Sequence, residues 1–221
     1  MEKSELVAET LRYLGVRGPA PESLRREASD TASELQRALR PRYVYALFAL
    51  RPDENSFRLG EAGVILRGNS VRTMLQECDE AVLLLCTLGA GFDNRLRAAQ
   101  ARNMSRAVIL DACGSAFVES GCDAAERELS ECFPGRFLTD RFSPGYGDVS
   151  LSLQRDICGL LNASRRLGVC VTDSMTLNPA KSVTAIIGLS DRPQRARIRG
   201  CAFCAMRETC ELRKSGAKCQ L

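Results

Sequence analysis

The chain has 221 residues, a net charge of +4, 45% apolar and 26% charged residues, and neither His nor Trp. That is length for one large domain, or one domain with a small appendage, and the composition of an ordinary soluble globular protein. No window approaches a membrane span, and without His there is no Ser-His or Cys-His nucleophile pair and no imidazole for zinc or cobalt.

The N-terminal stretch MEKSELVAETLRYLG lacks a basic segment followed by an apolar one, so no export is signalled and a cytoplasmic protein is expected. Residues 5–14 and 22–39 read as helices, with Pro21 and Glu22 opening the second and Pro41 ending it. RYVYALFAL (42–50) is aromatic and β-branched enough for a strand, and GVILRG (63–68) reads as another. SVRTMLQEC (70–78) is a short helix with Ser70 placed to cap it. AVLLLCTLG (81–89) is a buried strand closed by Gly89.

A long helical pattern runs from Phe92 to about Cys132, with a break expected near Gly121. Small residues dominate one face, Ala107, Asp111, Gly114, Ser115, Val118, Cys122 and Ala125, and favour close packing at most of these positions. Asp111, Ser115 and Glu119 align at i, i+4 and i+8, but two turns hold the carboxylates about 12 Å apart, too far for an acid–base pair. Beyond it, residues 149–163 read as a helix capped by Ser150 or Ser152, and 167–173 and 182–190 as strands joined through Pro179. Strands and helices alternate without a βαβ rhythm or a GxGxxG turn, so the fold expected is α+β.

Between the long helix and the next apolar run lies RFSPGYGDVS (141–150). Pro144 presets φ and the glycines supply positive φ, so the run is at least a turn. Arg141 and Tyr146 flank it: Arg is a natural clamp for a carboxylate, and Tyr offers a ring or a hydroxyl. On the residues alone, turn and binding site both stand.

Arg141-Phe-Ser-Pro-Gly-Tyr-Gly-Asp, followed by Gly168-Val-Cys-Val-Thr-Asp-Ser-Met-Thr-Leu-Asn-Pro-Ala-Lys-Ser-Val, resembles the activation domain of cobalamin-dependent methionine synthase. There an R-x-x-P-G-Y element precedes a T-E-S-x-x-x-x-P-x-x-S-V element at this distance. The resemblance covers residues 80–190 well and 1–80 loosely. It implies a twisted, mostly antiparallel sheet with flanking helices, S-adenosylmethionine binding, and docking on a corrinoid module so that cob(II)alamin is reduced and remethylated. It further implies that Arg141 meets the ligand's carboxylate, that Ser143, Gly145 and Tyr146 form the wall beside it, and that Glu119 suits its ammonium. Asp173 falls where the family has a Glu. The family's Tyr-Phe on the last strand falls on Ile187 and Gly188, so an aromatic contact is lost there, and no acidic contact near the N-terminus has a counterpart. Such a domain positions cofactors that do the chemistry themselves, which is compatible with a chain lacking His and with no catalytic residue of its own.

The last 30 residues carry eight Lys/Arg against two Glu, so the body is near −2 and has no basic footprint for nucleic acid. Here Cys201, Cys204, Cys210 and Cys219 give C-x2-C-x5-C-x8-C, four of the chain's eleven cysteines within nineteen residues. In a reducing compartment that density reads as a metal site, iron–sulfur or zinc, and the spacing does not choose between them. The family domain lacks such a tail; a cluster would serve as an electron entry point.

The expected organisation is therefore an activation domain-like body over 1–190 and a basic, four-cysteine metal-binding tail over 191–221. The expected role is an S-adenosylmethionine-binding accessory subunit of a cobalamin-binding methionine synthase, with cobalamin carried by the partner and an electron donor protein as second partner. The rivals are a metal-bearing activator of another corrinoid methyltransferase and a four-cysteine zinc protein with a nucleic-acid-binding tail.

Overall fold

The computed structural model describes residues 1–193. The tail over 194–221, with Cys201, Cys204, Cys210 and Cys219, lies outside the described residues.

The elements in order are α1 (Lys3–Tyr13), α2 (Glu22–Ala38), β1 (Arg42–Asp53), β2 (Ser56–Leu59), β3 (Ile65–Arg67), α3 (Asn69–Leu75) and β4 (Glu80–Thr87). Then come α4 (Ala90–Arg102), α5 (Met104–Cys132), β5 (Phe137–Leu138), α6 (Leu153–Leu160), α7 (Ala163–Leu167), β6 (Cys170–Val171), β7 (Leu177–Asn178) and β8 (Ser182–Ser190). The main sheet is antiparallel, six-stranded, in the order β3-β2-β1-β4-β8-β5, and β6 and β7 form a separate two-stranded ribbon. This is the α+β architecture the sequence leads one to expect. Among the described residues no helix is long and apolar enough to cross a membrane.

The described chain groups into two compact units. The first is built from Met1–Val44, Leu85–Glu128 and Leu161–Val183. In it, α2 buries Ala28, Thr31, Ala32 and Leu35, the i, i+3, i+4, i+7 stripe of an amphipathic helix. On α1 the buried Thr10 donates its hydroxyl to the Leu6 carbonyl at 2.7 Å, which satisfies a polar group that burial would otherwise penalise. Tyr43 donates to Glu128 at 2.5 Å, and that bond, with burial, pushes its phenol up to about 12.

The long helical pattern divides at Asn103, not at Gly121. Asn103 takes an extended φ of −156° between α4 and α5, and its side-chain oxygen accepts the Arg106 N–H at 3.1 Å. Gly121 stays within α5 for another reason. A Cβ there would lie 2.5 Å from Pro41 Cβ and 2.6 Å from Cys86 Sγ, so the helix needs a bare backbone to pack. Gly114 likewise leaves room for the Phe92 ring.

The second unit takes in Tyr45–Leu84, Leu129–Leu160 and Thr184 onward. Leu83 and Leu84 of β4 and Ala185 to Ile187 of β8 are fully buried, which explains their uninterrupted apolar runs. β1 and β2 pair from Leu50↔Leu59 to Asp53↔Ser56, with β3 beyond β2. Arg136 forms ion pairs with Glu80 at 3.1 Å, with Asp191 at 2.8 Å and with Asp79, tying the segment before β5 to residues flanking β4 and β8. The helix expected over 149–163 is shorter, running Leu153–Leu160. The strand expected over 167–173 shrinks to Cys170–Val171, which pairs with β7 because Gly168 and Thr172 bound it with turns.

Candidate ligand-binding joint

The joint begins at the edge of the sheet. β5 pairs with β8 through Phe137↔Ser190 and Leu138↔Leu189, and the Thr139 N–H continues the ladder to the Gly188 carbonyl at 3.0 Å. Phe142 then exchanges backbone bonds with Ile186 at 2.8 and 2.9 Å. Three residue steps separate Thr139 from Phe142, but only two separate Gly188 from Ile186. The edge strand therefore carries one extra residue, a β-bulge, at Asp140 and Arg141. Bulges re-aim side chains and recur beside binding sites. The sequence does not announce this one, because its partner strand lies far on in the chain.

Past the bulge the chain turns over Ser143–Val149. The Gly145 N–H bonds the Val149 carbonyl at 3.0 Å, the Tyr146 N–H the Ser143 carbonyl at 3.3 Å, and the Val149 N–H the Tyr146 carbonyl at 3.1 Å. Gly145 adopts φ +90°, which a side chain resists, and a Cβ there would come within 2.9 Å of Leu151 Cδ1. The turn presents Tyr146 with 63% of its surface exposed, and Leu151, which packs near Gly145, is exposed as well. Arg141 and Ser143 are half-buried and Pro144 is buried.

The far end of the turn is held by Asp148. Its carboxylate accepts the backbone N–H of Ser70 at 3.0 Å and that of Asn69, the first residues of α3. The expected Ser70 cap is thus replaced: α3 begins at Asn69, no side chain of its own caps it, and the cap comes from Asp148. Gly68, at φ +122°, permits this approach, since a Cβ on it would lie 2.9 Å from Asp148 Oδ1. The Ser70 N–H bond is the leading cause holding the Asp148 carboxyl below the usual carboxylate range.

Of the residues singled out in the sequence, Arg141, Ser143, Gly145 and Tyr146 lie together on this joint. Ile187 and Gly188 do not present a surface. Ile187 is fully buried, and the buried Gly188 gives both backbone groups to Thr139, with Cys78 Sγ and Leu75 filling the space where a side chain would go. Glu119 sits on α5 in the first unit, where, after burial, its charge is the main influence raising the Tyr13 phenol. Nearby on that helix Lys181 pairs with Asp111 at 2.9 Å and donates to Ser115 at 2.8 Å, which gives the i, i+4 alignment a structural use. Asp173 is exposed in the Thr172–Thr176 turn, within a cluster of hydroxyls.

Two open hollows of the first unit, about 690 Å³ beside Lys3 and Arg25 and about 410 Å³ beside Tyr43 and Phe117, include none of these site residues. Among the described residues no group of three or more His, Cys, Asp or Glu is placed to hold a metal ion.

No family model and no curated protein sequence matches this chain. Among solved structures it is similar to the crystal structure of the MetH reactivation domain bound to AdoHcy, with a TM-score of 0.65 over 97% of this chain and 83% of that one, at 14% sequence identity. The likeness is one of fold. It includes the six-stranded antiparallel sheet with flanking helices on which the joint is built.

Proposed function

We propose that this chain binds S-adenosylmethionine at the 141–148 joint and serves as a reactivation module for a corrinoid-bearing methionine synthase. The observation that carries the reading is the gathering of Arg141, Ser143, Gly145 and Tyr146 along one bulge and the turn that follows it, on a fold similar to that of the MetH reactivation domain, whose crystal structure is bound to AdoHcy.

The residues fit such a ligand. The Arg141 guanidinium, set in a bulge, suits a carboxylate by paired N–H donors. The exposed Tyr146 ring offers a flat face to the adenine. Gly145 leaves the backbone bare where the ligand would approach. Glu119 enters through the resemblance alone, as a carboxylate suited to the ligand's positive charge. When bound, the ligand would supply the methyl group that a partner-held corrinoid receives; this chain's residues bind it, orient it and leave its reactive end open to the partner. In the same reading Cys201, Cys204, Cys210 and Cys219 hold an iron–sulfur cluster, or zinc, and an electron donor protein completes the system in the cytoplasm.

Equilibrium binding of labelled S-adenosylmethionine to the purified protein tests the proposal, with competition by AdoHcy. Saturable binding of one equivalent displaced by AdoHcy is the expected result; no binding of either compound overturns it.

A further inference from the structure

The bulge that carries Arg141 also carries Asp140, a residue that neither the sequence motif nor the resemblance points to. Its Oδ2 is buried and has no hydrogen-bond partner among the described residues. A buried carboxylate oxygen left without a donor is costly, and native structures keep few of them. Among the described residues no donor offsets that cost. Thr139, its neighbour, is engaged with Gly188, and Phe142 with Ile186, so the two pairing points fix the bulge from both sides. The extra residue thus places Asp140 and Arg141, consecutive in the chain and opposite in charge, at the start of the joint.

Adjacent charges of opposite sign at a bulge match a ligand that also carries both charges on neighbouring atoms. The amino-acid end of the proposed ligand is such a group, with carboxylate and ammonium on one carbon. We infer that Asp140 accepts a hydrogen bond from the ligand's ammonium while Arg141 takes its carboxylate. The inference rests on the binding reading above and deepens it, since it assigns the acceptor for the ammonium to the same unit and the same bulge as the Arg. Charge-assisted bonds of this kind select zwitterionic amino-acid ligands over analogues that lack the amino group, because without it the acceptor stays unpaired.

The test titrates wild type, Asp140→Asn and Asp140→Ala with two compounds, AdoHcy and its analogue lacking the α-amino group. Both substitutions are expected to weaken AdoHcy about tenfold or more while leaving the affinity for the analogue unchanged. The melting temperature of ligand-free Asp140→Ala is expected to equal or exceed that of wild type, because the orphaned oxygen contributes nothing to the free fold. Undiminished AdoHcy binding by the variants, an equal loss for both compounds, or a lowered melting temperature of the free variant would each overturn the role of Asp140 alone. Failure of the wild type to bind AdoHcy at all would overturn the binding reading, and the role of Asp140 with it.

Discussion

The Asp148 carboxylate caps a helix from far along the chain, its Oδ1 taking the N–H of Ser70, 78 residues earlier, at 3.0 Å. One residue thereby closes the PGYGD turn and starts α3. Asp148→Ala should cost about 1 kcal/mol at neutral pH, the usual worth of a side-chain cap. The carboxyl is held below its unfolded value, so its contribution is fully present above the unfolded carboxylate range and disappears as the pH falls through the lower folded value. Urea midpoints of wild type and variant should therefore differ at neutral pH and converge in acid below about pH 4. A gap that persists in acid would mean that packing, not the ionised cap, is what the substitution removes.

Gly114→Ala probes the first unit in isolation from the joint. The added methyl meets the Phe92 ring, and overpacking of this kind costs about 1–3 kcal/mol. Phe92→Leu in the same chain should recover part of that loss. Additive effects in the double variant would show that the two residues do not share the space.

Much of this was legible in the sequence, and the reasons are local. Pro21 and Pro41 punctuate α2, the aromatic run marks β1, and 182–190 reads as a strand because Val183, Ala185, Ile186, Ile187 and Leu189 make it mostly apolar. The misreadings come from residues whose role is set at a distance. Gly121 looks like a helix breaker and is instead a packing site against Pro41 and Cys86; Asn103, unremarkable in sequence, interrupts the helix. Ser70 looks like a cap and is capped. β5 has two residues, too few for a periodic signal, and its bulge exists only by comparison with β8. For the site, four neighbouring residues of one motif read as a group, whereas Ile187 and Gly188, which only the family resemblance points to, lie in the core.

Arg141→Ala should weaken S-adenosylmethionine binding by about 1.5–3 kcal/mol, the range for hydrogen bonds to charged groups. Arg141→Lys should recover only part, since an ammonium does not reproduce a paired guanidinium. Calorimetry at constant urea midpoint reads both; an affinity unmoved by the Ala substitution would remove Arg141 from the site.

The cysteine-rich tail makes a compositional prediction. Protein prepared without air or chelator should carry one metal centre on Cys201, Cys204, Cys210 and Cys219. Iron with acid-labile sulfide in a coloured protein marks a cluster. One equivalent of zinc in a colourless protein marks the alternative. Finding neither metal would leave the four thiols without a common ligand, and Cys201→Ser should then change no bound-metal count.

Each unit is assembled from three separated stretches of chain: the first is complete only at Val183, and the second opens at Tyr45 and takes up the chain again at Thr184. During synthesis the ribosome must therefore release nearly the whole described chain before either unit holds all its parts. Contacts so distant in sequence slow folding, because long loops must close before any burial rewards them. It follows that no continuous fragment contains the first unit without most of the second, and that an expression strategy based on trimming this protein to a minimal binding piece would strand half-built cores of both.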